Sequence, residues 1–348
     1  MPVLSYDTLR SHLSRVLLAL GCPADEADVI ADALASANVA GHDSHGLIRI
    51  EQYARMVQSG EIEPGTPTTI VRETPATALL DGGWNFGQVV AKRAIEMGIE
   101  KARACGVSTI SVKNSNHLGR LGEYTVMAAR AGMMCVATVN NHGRGNLVAP
   151  FGGSDGRLAT NPISFACPGP ERPVLVDITT SVVAEGKVRV LRNAGKSAPE
   201  GWLIDNQGHP STDPADLYTD PRGAILPFGG AVAHKGFALS IMVDIMSGAL
   251  SGAGCSYSGT CRLGNAMYFN LTDIEKFVPR DEFLEWVTTL KNHVQASPPA
   301  PGFSEILMPG EPEFRTEERR RRDGIEVDEG TWGQFLECAR SLGVELSG

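Results

Sequence analysis

The sequence predicts an α+β fold with a sheet-rich middle segment and helices at both ends of the chain. Near both ends, apolar residues recur about every 3.6 residues, which is the pattern of amphipathic helices. Between them, short apolar runs alternate with helical patterns, as in a sheet covered by helices. With 348 residues, the chain is long enough to bury a core and to form a cleft between two units.

Three helices are predicted within residues 1–60. The first is marked by apolar residues at helical spacing, namely Leu9, Leu13, Val16 and Leu17. Pro23 and Asp25 indicate the start of the second helix. The third runs from about Leu47 to Val57 and ends near Gly60, before the proline-containing connector "EIEPGTPTTI".

The middle of the chain contains strand-like runs, which are "TALLDG", "VSTISVK", "MMCVATVN", "ISFACP" and "VLVDI". Helices are predicted among them, over about 88–104 and 122–131. The later segment "HKGFALSIMVDIMSGALSG" is apolar nearly all round and predicts a buried helix. Its one acid, Asp244, then needs a partner, because a buried carboxylate is costly unless it is satisfied.

Two helices are predicted at the end of the chain, over about 313–323 and 330–342, after the proline-rich stretch "VQASPPAPGF". They resemble the N-terminal helices in character. We therefore expect residues 1–65 and 309–348 to form one helical unit. Residues 66–308 then form the sheet-rich domain, and the junction makes a natural cleft.

Charge and cysteine content disfavour several classes of protein. The net charge of -9 disfavours binding to nucleic acid or to an anionic membrane, since Coulomb repulsion opposes it. The run "EERRRR" is a local exception, in which Glu317 and Glu318 precede Arg321 and Arg322 by four residues, the spacing of ion pairs on a solvated helix face. Seven scattered cysteines without a CxxC pair indicate free thiols. Because the N-terminus lacks an apolar signal segment, we expect a cytoplasmic protein without a membrane span.

The stretch "GHDSHGLIRI" contains the first candidate site residues. Asp43 or Ser44 is placed to cap the helix predicted to begin near Leu47. His45 and Arg49 are four residues apart, so a helix would present both side chains on one face. An imidazole can exchange a proton near neutral pH, and a guanidinium can grip a carboxylate with two hydrogen bonds. The spacing alone also allows a surface histidine beside a solvated arginine.

Further polar groups follow predicted strands. His117, in "NSNHLGR", lies where a strand ends, which suits either an active-site residue or a satisfied turn histidine. Asp177 follows the strand "VLVDI" and precedes hydroxyl residues, which suits either a helix cap or a ligand site. Lys235 opens the apolar helix at the end that the helix dipole disfavours for a cation, which points to a ligand anion. The histidines lack HxxxH or HxH spacing, so we expect no metal site.

A dinucleotide enzyme of the usual Rossmann type has the motif GxGxxG after a strand, and this motif is missing. The glycines of "NNHGRGNL" give only GxG. If the chain binds a nicotinamide cofactor, it does so without that fingerprint. "MPGEPEFR", with Gly310 and Glu311 before a helix, is a turn signal that also suits a loop closing on a ligand.

Taken together, these segments resemble the malate/L-lactate dehydrogenase-like family of NAD(P)-dependent oxidoreductases, and most closely its hydroxycarboxylate dehydrogenases. The resemblance covers essentially the whole chain. It rests on "GHDSHGLIR", "NSNHLGR", "APFGG" with "ATNPISFACP", "DITTSVVAEGKVRV", "GWLIDNQGHPSTDP", "HKGFALSIMVDIMSGALSGAG" and "MPGEPE". The stretches "NNHGRGN" and "GAGCSYSGTCRLGN" depart from the family's pattern.

The resemblance implies a homodimer that uses NAD or NADP, bound in a non-Rossmann, sheet-rich domain, with the active site facing the helical unit. It implies that His45 is the proton donor and acceptor for the substrate, and that Ser44 lies beside it. It also implies that Arg49 anchors the substrate carboxylate and that His117 is a second active-site imidazole. The residues that it implies for cofactor binding are Asn141, Val176, Asp177, Ile178, Thr179, His234, Lys235, Gly310 and Glu311.

The expected reaction moves a hydride between the nicotinamide and C2 of a small 2-oxo or 2-hydroxy acid. Reduction of a cyclic imino acid such as piperideine- or pyrroline-2-carboxylate, or oxidation of ureidoglycolate, is the alternative within the family. A metal-dependent hydrolase and a non-catalytic binding protein are the rivals from other classes. Elemental analysis would separate the hydrolase, and NADH fluorescence would separate the binding protein.

Overall fold

A computed structural model of the chain describes residues 1–143, 146–193, 195–256 and 262–346. The helices in these ranges are α1 (Tyr6–Ala19), α2 (Ala24–Val39), α3 (Ile50–Gln58), α4 (Gly87–Cys105), α5 (Gly122–Arg130), α6 (Glu185–Asn193), α7 (His234–Asp244), α8 (Arg280–Gln295), α9 (Glu311–Asp323) and α10 (Glu329–Ser341). The strands are β1 (Val3–Leu4), β2 (Thr69–Glu73), β3 (Thr77–Asp81), β4 (Val107–Ser115), β5 (Met133–His142), β6 (Ile163–Cys167), β7 (Val174–Ile178), β8 (Leu203–Ile204), β9 (Pro210–Ser211), β10 (Ala224–Ile225), β11 (Gly264–Asp273) and β12 (Ile325–Glu326).

The main sheet has seven strands in the order β2-β3-β4-β11-β5-β6-β7. Only β3 and β4 pair in parallel, and the other neighbours are antiparallel. All five strand-like runs read from the sequence are confirmed as strands of this sheet. The central strand β11 was not predicted, because asparagines and threonines interrupt its apolar pattern. The chain is thus a mixed α/β protein, in agreement with the predicted combination of helices and sheet.

Helices cover both faces of this sheet. Helix α4 packs on one face, where Gly98 lets the helix approach Leu271 of β11. Helix α5 packs against β5 and β6 on the same side. On the other face, Thr138 of β5 hydrogen-bonds Ser247, which lies in the π-helical turn that follows α7. Polar groups at the ends of β4 and β7 therefore emerge beside α5 and the helices from the chain ends.

Residues from both chain ends share one hydrophobic core. Strand β1 pairs with β12, and Val3 faces Glu326 in this ladder. Leu9 and Leu13 of α1 are buried in the same cluster as Phe335 of α10. The division into residues 1–65 with 309–348 and residues 66–308 stays a prediction.

The apolar segment that begins with α7 differs from the fully buried helix that was predicted. The helix ends at Asp244, and a π-helical turn, Ile245–Ala249, continues it. Met242, Ile245 and Leu250 are exposed, so one side of the segment is uncovered in the single chain. Asp244 is buried and finds the expected partners, since Asn140 Nδ2 donates to it at 2.7 Å and the Ser256 amide at 3.0 Å.

Candidate active site

The segment between α2 and α3 holds the first site residues in two short 3-10 turns, Asp43–His45 and Leu47–Arg49. The prediction that a helix begins near Leu47 is confirmed, because the 3-10 turn Leu47–Arg49 runs directly into α3 at Ile50. Gly46 is extended between the turns, with φ -98° and ψ -139°. Buried Asn38 holds this break, since its Oδ1 accepts from Leu47 N at 2.7 Å. A Cβ at Gly46 would lie 2.0 Å from the same oxygen, so a larger residue would not fit.

Asp43 does not cap a helix that begins near Leu47. Its carboxylate accepts two hydrogen bonds from Arg320 of α9, at 2.7 and 3.0 Å, and one from Asn38 Nδ2 at 2.8 Å. Arg320 also donates to the carbonyl of Asn38. In the "EERRRR" run the Glu317–Arg321 pair forms as predicted. The run is nevertheless more than a solvated face, because Arg320 ties the C-terminal helix to the site.

Arg49 is held so that part of its guanidinium remains available. Nε donates to the carbonyl of Ser44 at 2.7 Å, and Nη1 donates to Gln52 Oε1 at 2.8 Å. Nη2 donates to no described residue. It faces Gly186 at the start of α6, where a Cβ would lie 3.7 Å from it. A small carboxylate can therefore approach Nη2 beside Gly186.

The two candidate imidazoles lie side by side. The rings of His45 and His117 stack with centroids 5.6 Å apart and an interplanar angle of 20°. Ser44 Oγ lies 3.0 Å from Nδ1 of His45. The hydroxyl of Tyr53 lies 2.8 Å from Nδ1 of His117. The structure thus brings together Ser44, His45, Arg49 and His117 from two distant segments.

Burial and positive neighbours keep both imidazoles neutral. Burial, followed by the charge of Arg49, lowers the pKa of His45 to about 3. Burial and the same guanidinium hold the pKa of His117 well below its ordinary value. Burial raises the pKa of Tyr53 to about 12, so its hydroxyl keeps its proton. At neutral pH the site therefore contains the guanidinium of Arg49 beside two neutral rings.

The end of β7 places the next group beside the site. Asp177 Oδ2 accepts from Gly122 N at the start of α5 at 2.8 Å, and burial raises the pKa of this carboxyl. Val176 and Ile178 alternate with Asp177 and therefore point to the opposite face of the sheet, where Ile178 is 43% exposed. Thr179 donates from its hydroxyl to the carbonyl of Ser181 at 2.9 Å.

The remaining candidate residues lie along the same outer strand or near it. Gly310 has φ +92°, and its loop meets β7 where Leu175 N donates to Pro309 O at 3.1 Å. Glu311 accepts from Gln295 and from Met308 N, so its carboxylate already has partners. Near the other end of β7, Phe228 N donates to Thr180 O at 3.1 Å.

The last three candidates lie at the end of the sheet beyond Thr180. Phe228 packs against Gly236 in the first turn of α7, where His234 and Lys235 are exposed. Asn141 lies near the end of β5, where it faces Asn265 of β11. No side-chain hydrogen bond joins Asn141 to the other described candidates.

Sequence reasoning missed several residues that organise the site. Tyr53 lies one helical turn after Arg49, and this spacing was an available signal. Asn38 and Gln88 carried no such signal, because they are distant in sequence and meet the site only in the fold. Residues 144–145 and 257–261, within the two stretches that depart from the family pattern, lie outside the described residues.

The described ranges contain neither a metal-ligand cluster nor a membrane-spanning helix. No three His, Cys, Asp or Glu side chains in them converge as a possible metal-ligand set. None of the helices in these ranges combines the length and apolar character needed to cross a membrane. The cysteines for which the structure describes surroundings are free thiols, namely Cys22, Cys105, Cys135, Cys167, Cys255 and Cys338.

The site combines two stacked, buried imidazoles with a guanidinium whose Nη2 donates to no described residue, an arrangement typical of an enzyme active site. The chain belongs to the malate/L-lactate dehydrogenase family, whose family model matches residues 4–336. It is 38% identical to a malate dehydrogenase of Pyrococcus horikoshii, over 97% of this chain and 95% of that protein. It is 37% identical to hydroxycarboxylate dehydrogenase B of Escherichia coli strain K12, over 97% of this chain and 93% of that protein.

Solved structures agree with this family. The malate dehydrogenase of Pyrococcus horikoshii OT3 superposes with a TM-score of 0.90 at 35% identity, covering 99% of this chain and 97% of that one. A Δ1-piperideine-2-carboxylate reductase of Pseudomonas syringae is more distant, with a TM-score of 0.82 at 27% identity, over 97% of this chain and all of that one. The named dehydrogenases among these relatives act on hydroxy acids, and the chain is a dehydrogenase of this family.

Proposed function

We propose that the protein interconverts a small 2-oxo acid and the corresponding 2-hydroxy acid, with NAD or NADP as the hydride carrier. The observation that carries this proposal is the free Nη2 of Arg49 beside the stacked rings of His45 and His117. A guanidinium fixes a carboxylate, and the neighbouring C2 oxygen then lies within reach of an imidazole. Positioning of the substrate would supply much of the rate acceleration.

The outer strand of the sheet suits a dinucleotide. Gly310 approaches β7 so closely that a Cβ would lie 2.9 Å from that of Leu175, which leaves a shallow surface along the strand. Exposed His234 and Lys235 open α7 near Thr180, and a helix start that carries a lysine suits a pyrophosphate. From Leu175 to Thr180 an extended strand spans about 17 Å, a separation that suits an elongated ligand. When bound, a reduced nicotinamide supplies the hydride.

In the direction of reduction, His45 gives the proton. The substrate carboxylate offsets the charge of Arg49, which after burial is the second cause of the low pKa of His45, so this pKa rises from its value of about 3 in the free site. As C2 gains the hydride, the electron pair of the C=O double bond moves to oxygen, and this oxygen takes the proton from His45. Ser44 Oγ, 3.0 Å from His45 Nδ1, orients the ring. The reverse direction uses neutral His45 as the base.

A single screen tests this function. Purified protein is incubated with NADH or NADPH and a panel of 2-oxo acids, and absorbance of the reduced nicotinamide is followed. The proposal expects turnover of at least one 2-oxo acid. Absence of turnover across the panel with both cofactors, in protein that is folded and pure, would overturn it.

Reduction of a cyclic imino acid is the second candidate. It is favoured by the likeness to the piperideine-carboxylate reductase and by the same geometry, since hydride delivered to a C=N carbon also needs a carboxylate anchor and a proton donor. Adding cyclic imino acids to the panel, and testing ureidoglycolate separately with the oxidised cofactors, decides between the candidates, because the preferred substrate has the highest kcat/KM.

A homodimer and a cytoplasmic location complete the proposal. Phe165 and Ile178 on the sheet, and Met242 and Ile245 on the helical segment over it, are exposed apolar residues on the face opposite α4 and α5. A contiguous apolar face of this kind suits a partner surface. Light scattering during size-exclusion chromatography should give twice the mass of 37.0 kDa, and Met242→Glu should shift it to one chain.

A further inference from the structure

Nδ1 of His117 faces two hydrogen-bond donors. The amide N–H of Gly119 points at it with an N···N distance of 3.4 Å. The hydroxyl oxygen of Tyr53 lies 2.8 Å from the same atom. A backbone N–H can only donate, so Nδ1 must offer its lone pair. The proton of the neutral imidazole is then on Nε2.

The surroundings of Tyr53 favour the same assignment. Gln88 Nε2 lies 2.8 Å from the Tyr53 hydroxyl and donates to it. The hydroxyl therefore accepts from Gln88 and directs its own proton to His117. Both Tyr53 and Gln88 are fully buried, so water cannot exchange for either partner. The two bonds run in one direction, from Gln88 through Tyr53 to Nδ1 of His117.

We propose that Tyr53 and Gln88 are positioning residues that hold His117 as the neutral Nε2–H tautomer, a fixed donor to the C2 oxygen of the substrate. The mobile proton then belongs to His45 alone. The role toward substrate rests on the proposed dehydrogenase function, whereas the tautomer does not. This assignment gives the two adjacent imidazoles different roles, with His117 as a fixed donor and His45 as the carrier of the mobile proton.

A second proton on His117 would have to enter at Nδ1, where it would oppose both donors. The charged or titratable groups that act on the ring are Arg49 and His45, from the segment before α3, and Tyr53 of α3. No carboxylate among the described residues hydrogen-bonds either His117 or Tyr53. With a guanidinium nearby and no anion in contact, His117 stays neutral while the substrate carboxylate is held at Arg49.

The tautomer is measured by two-bond ¹H–¹⁵N NMR correlation of protein labelled in its histidines, with His117→Gln used to identify the signals. The wild-type protein should show Nε2 of His117 protonated and Nδ1 as an acceptor from about pH 6 to about pH 8, a range that includes the ordinary histidine pKa. A protonated Nδ1 in the wild type would overturn the proposal. This measurement needs neither turnover nor a variant, so it remains decisive if the proposed function fails.

Tyr53→Phe tests the relay, because it keeps the ring and leaves only the longer Gly119 contact. A fraction of the Nδ1–H tautomer should appear, and kcat should fall about tenfold while KM changes little, since Arg49 is untouched. Tyr6→Phe is the control. Tyr6 begins α1, and its hydroxyl donates to Asp32 without contact to the imidazole or to the Leu118–Gly119 peptide.

The control should leave the tautomer as in the wild type. Wild-type tautomer and turnover in Tyr53→Phe would overturn the positioning role. An equal change of tautomer in Tyr6→Phe would also overturn it, because a general loosening of the protein would then explain the effect.

Discussion

Arg320, in the last third of α9, donates two hydrogen bonds to the carboxylate of Asp43, a residue 277 positions earlier in the chain. Asp43 begins the 3-10 turn that ends at His45. The position of the proposed proton carrier therefore depends on a helix at the opposite end of the chain. The sequence predicted a solvated face for the run "EERRRR", but the side chain of Arg320 within it is only 19% exposed. The ion pair with Asp43 accounts for this burial.

Arg320→Ala should loosen this turn. Asp43 is half exposed, so the ion pair is partly screened, and we expect a loss of only about 1 kcal/mol in the free energy of unfolding. The kcat should fall several-fold because His45 is less well placed. Chemical denaturation and steady-state kinetics measure both effects. Arg322→Ala is the control, since Arg322 pairs only with the adjacent Asp323, and equal effects of the two variants would contradict the prediction.

Arg49→Lys should raise KM for the carboxylate substrate by about a hundredfold, the scale of a lost charge-assisted hydrogen bond, with a smaller change in kcat. Lysine keeps the charge but cannot bond Ser44 O and Gln52 while also reaching the substrate. Arg55→Lys, on the exposed side of α3, should behave as the wild type. An unchanged KM in Arg49→Lys would count against the carboxylate anchor.

His45→Ala should lower kcat by about a hundredfold to ten-thousandfold, the range of general acid–base catalysis. The binding of NADH, followed by its fluorescence, should change little. His209→Ala serves as control because this imidazole is 70% exposed and lies beside Asp205, far from His45 in sequence. Wild-type turnover in His45→Ala would refute the role of proton carrier.

Substrate binding should take up protons at acidic pH, above the free-site pKa of His45 of about 3. In the free site the pKa of His45 is about 3, lowered by burial and by Arg49, so the ring is neutral. A bound carboxylate raises this pKa, and proton uptake follows by linkage. Calorimetric titration of a stable substrate analogue, in buffers of different ionisation enthalpy, reports the number of protons. If no protons are taken up at any pH above the free-site pKa of His45, about 3, this coupling is contradicted.

Glu123→Gln should stabilise the protein at alkaline pH. Burial raises the pKa of Glu123 from 4.5 to about 7, and its Oε2 has no hydrogen-bond partner. Because the folded pKa lies above the unfolded one, the stabilising effect of protonation is present below pH 4.5 and is lost as pH rises through about 7. We expect a gain of about 1–2 kcal/mol above the folded pKa and little below the unfolded one. Exposed Glu326→Gln is the control, and a pH-independent difference would argue against the cause.

Local patterns were sufficient for much of the fold and for the central residues of the site. Strands β3 to β7 were predicted from their alternating or continuous apolar runs, because this pattern indicates which side chains are buried. The central strand β11 was missed, since its polar residues bond neighbouring strands inside the sheet, as Asn265 does with Asn140 O. His45, Arg49 and His117 were found because their chemistry is unusual at a helix start and a strand end.

By itself, the sequence determined the residue types at the site, five strands of the main sheet and the family. Only the tertiary structure decided that the chain breaks at Gly46, between two short 3-10 turns, because Asn38 Oδ1 accepts from Leu47 N. It also decided the directions of the hydrogen bonds around His117, through Tyr53 and Gln88. These features arise from contacts between residues far apart in the chain, and spacing along the sequence carries no information about which distant donor meets which acceptor.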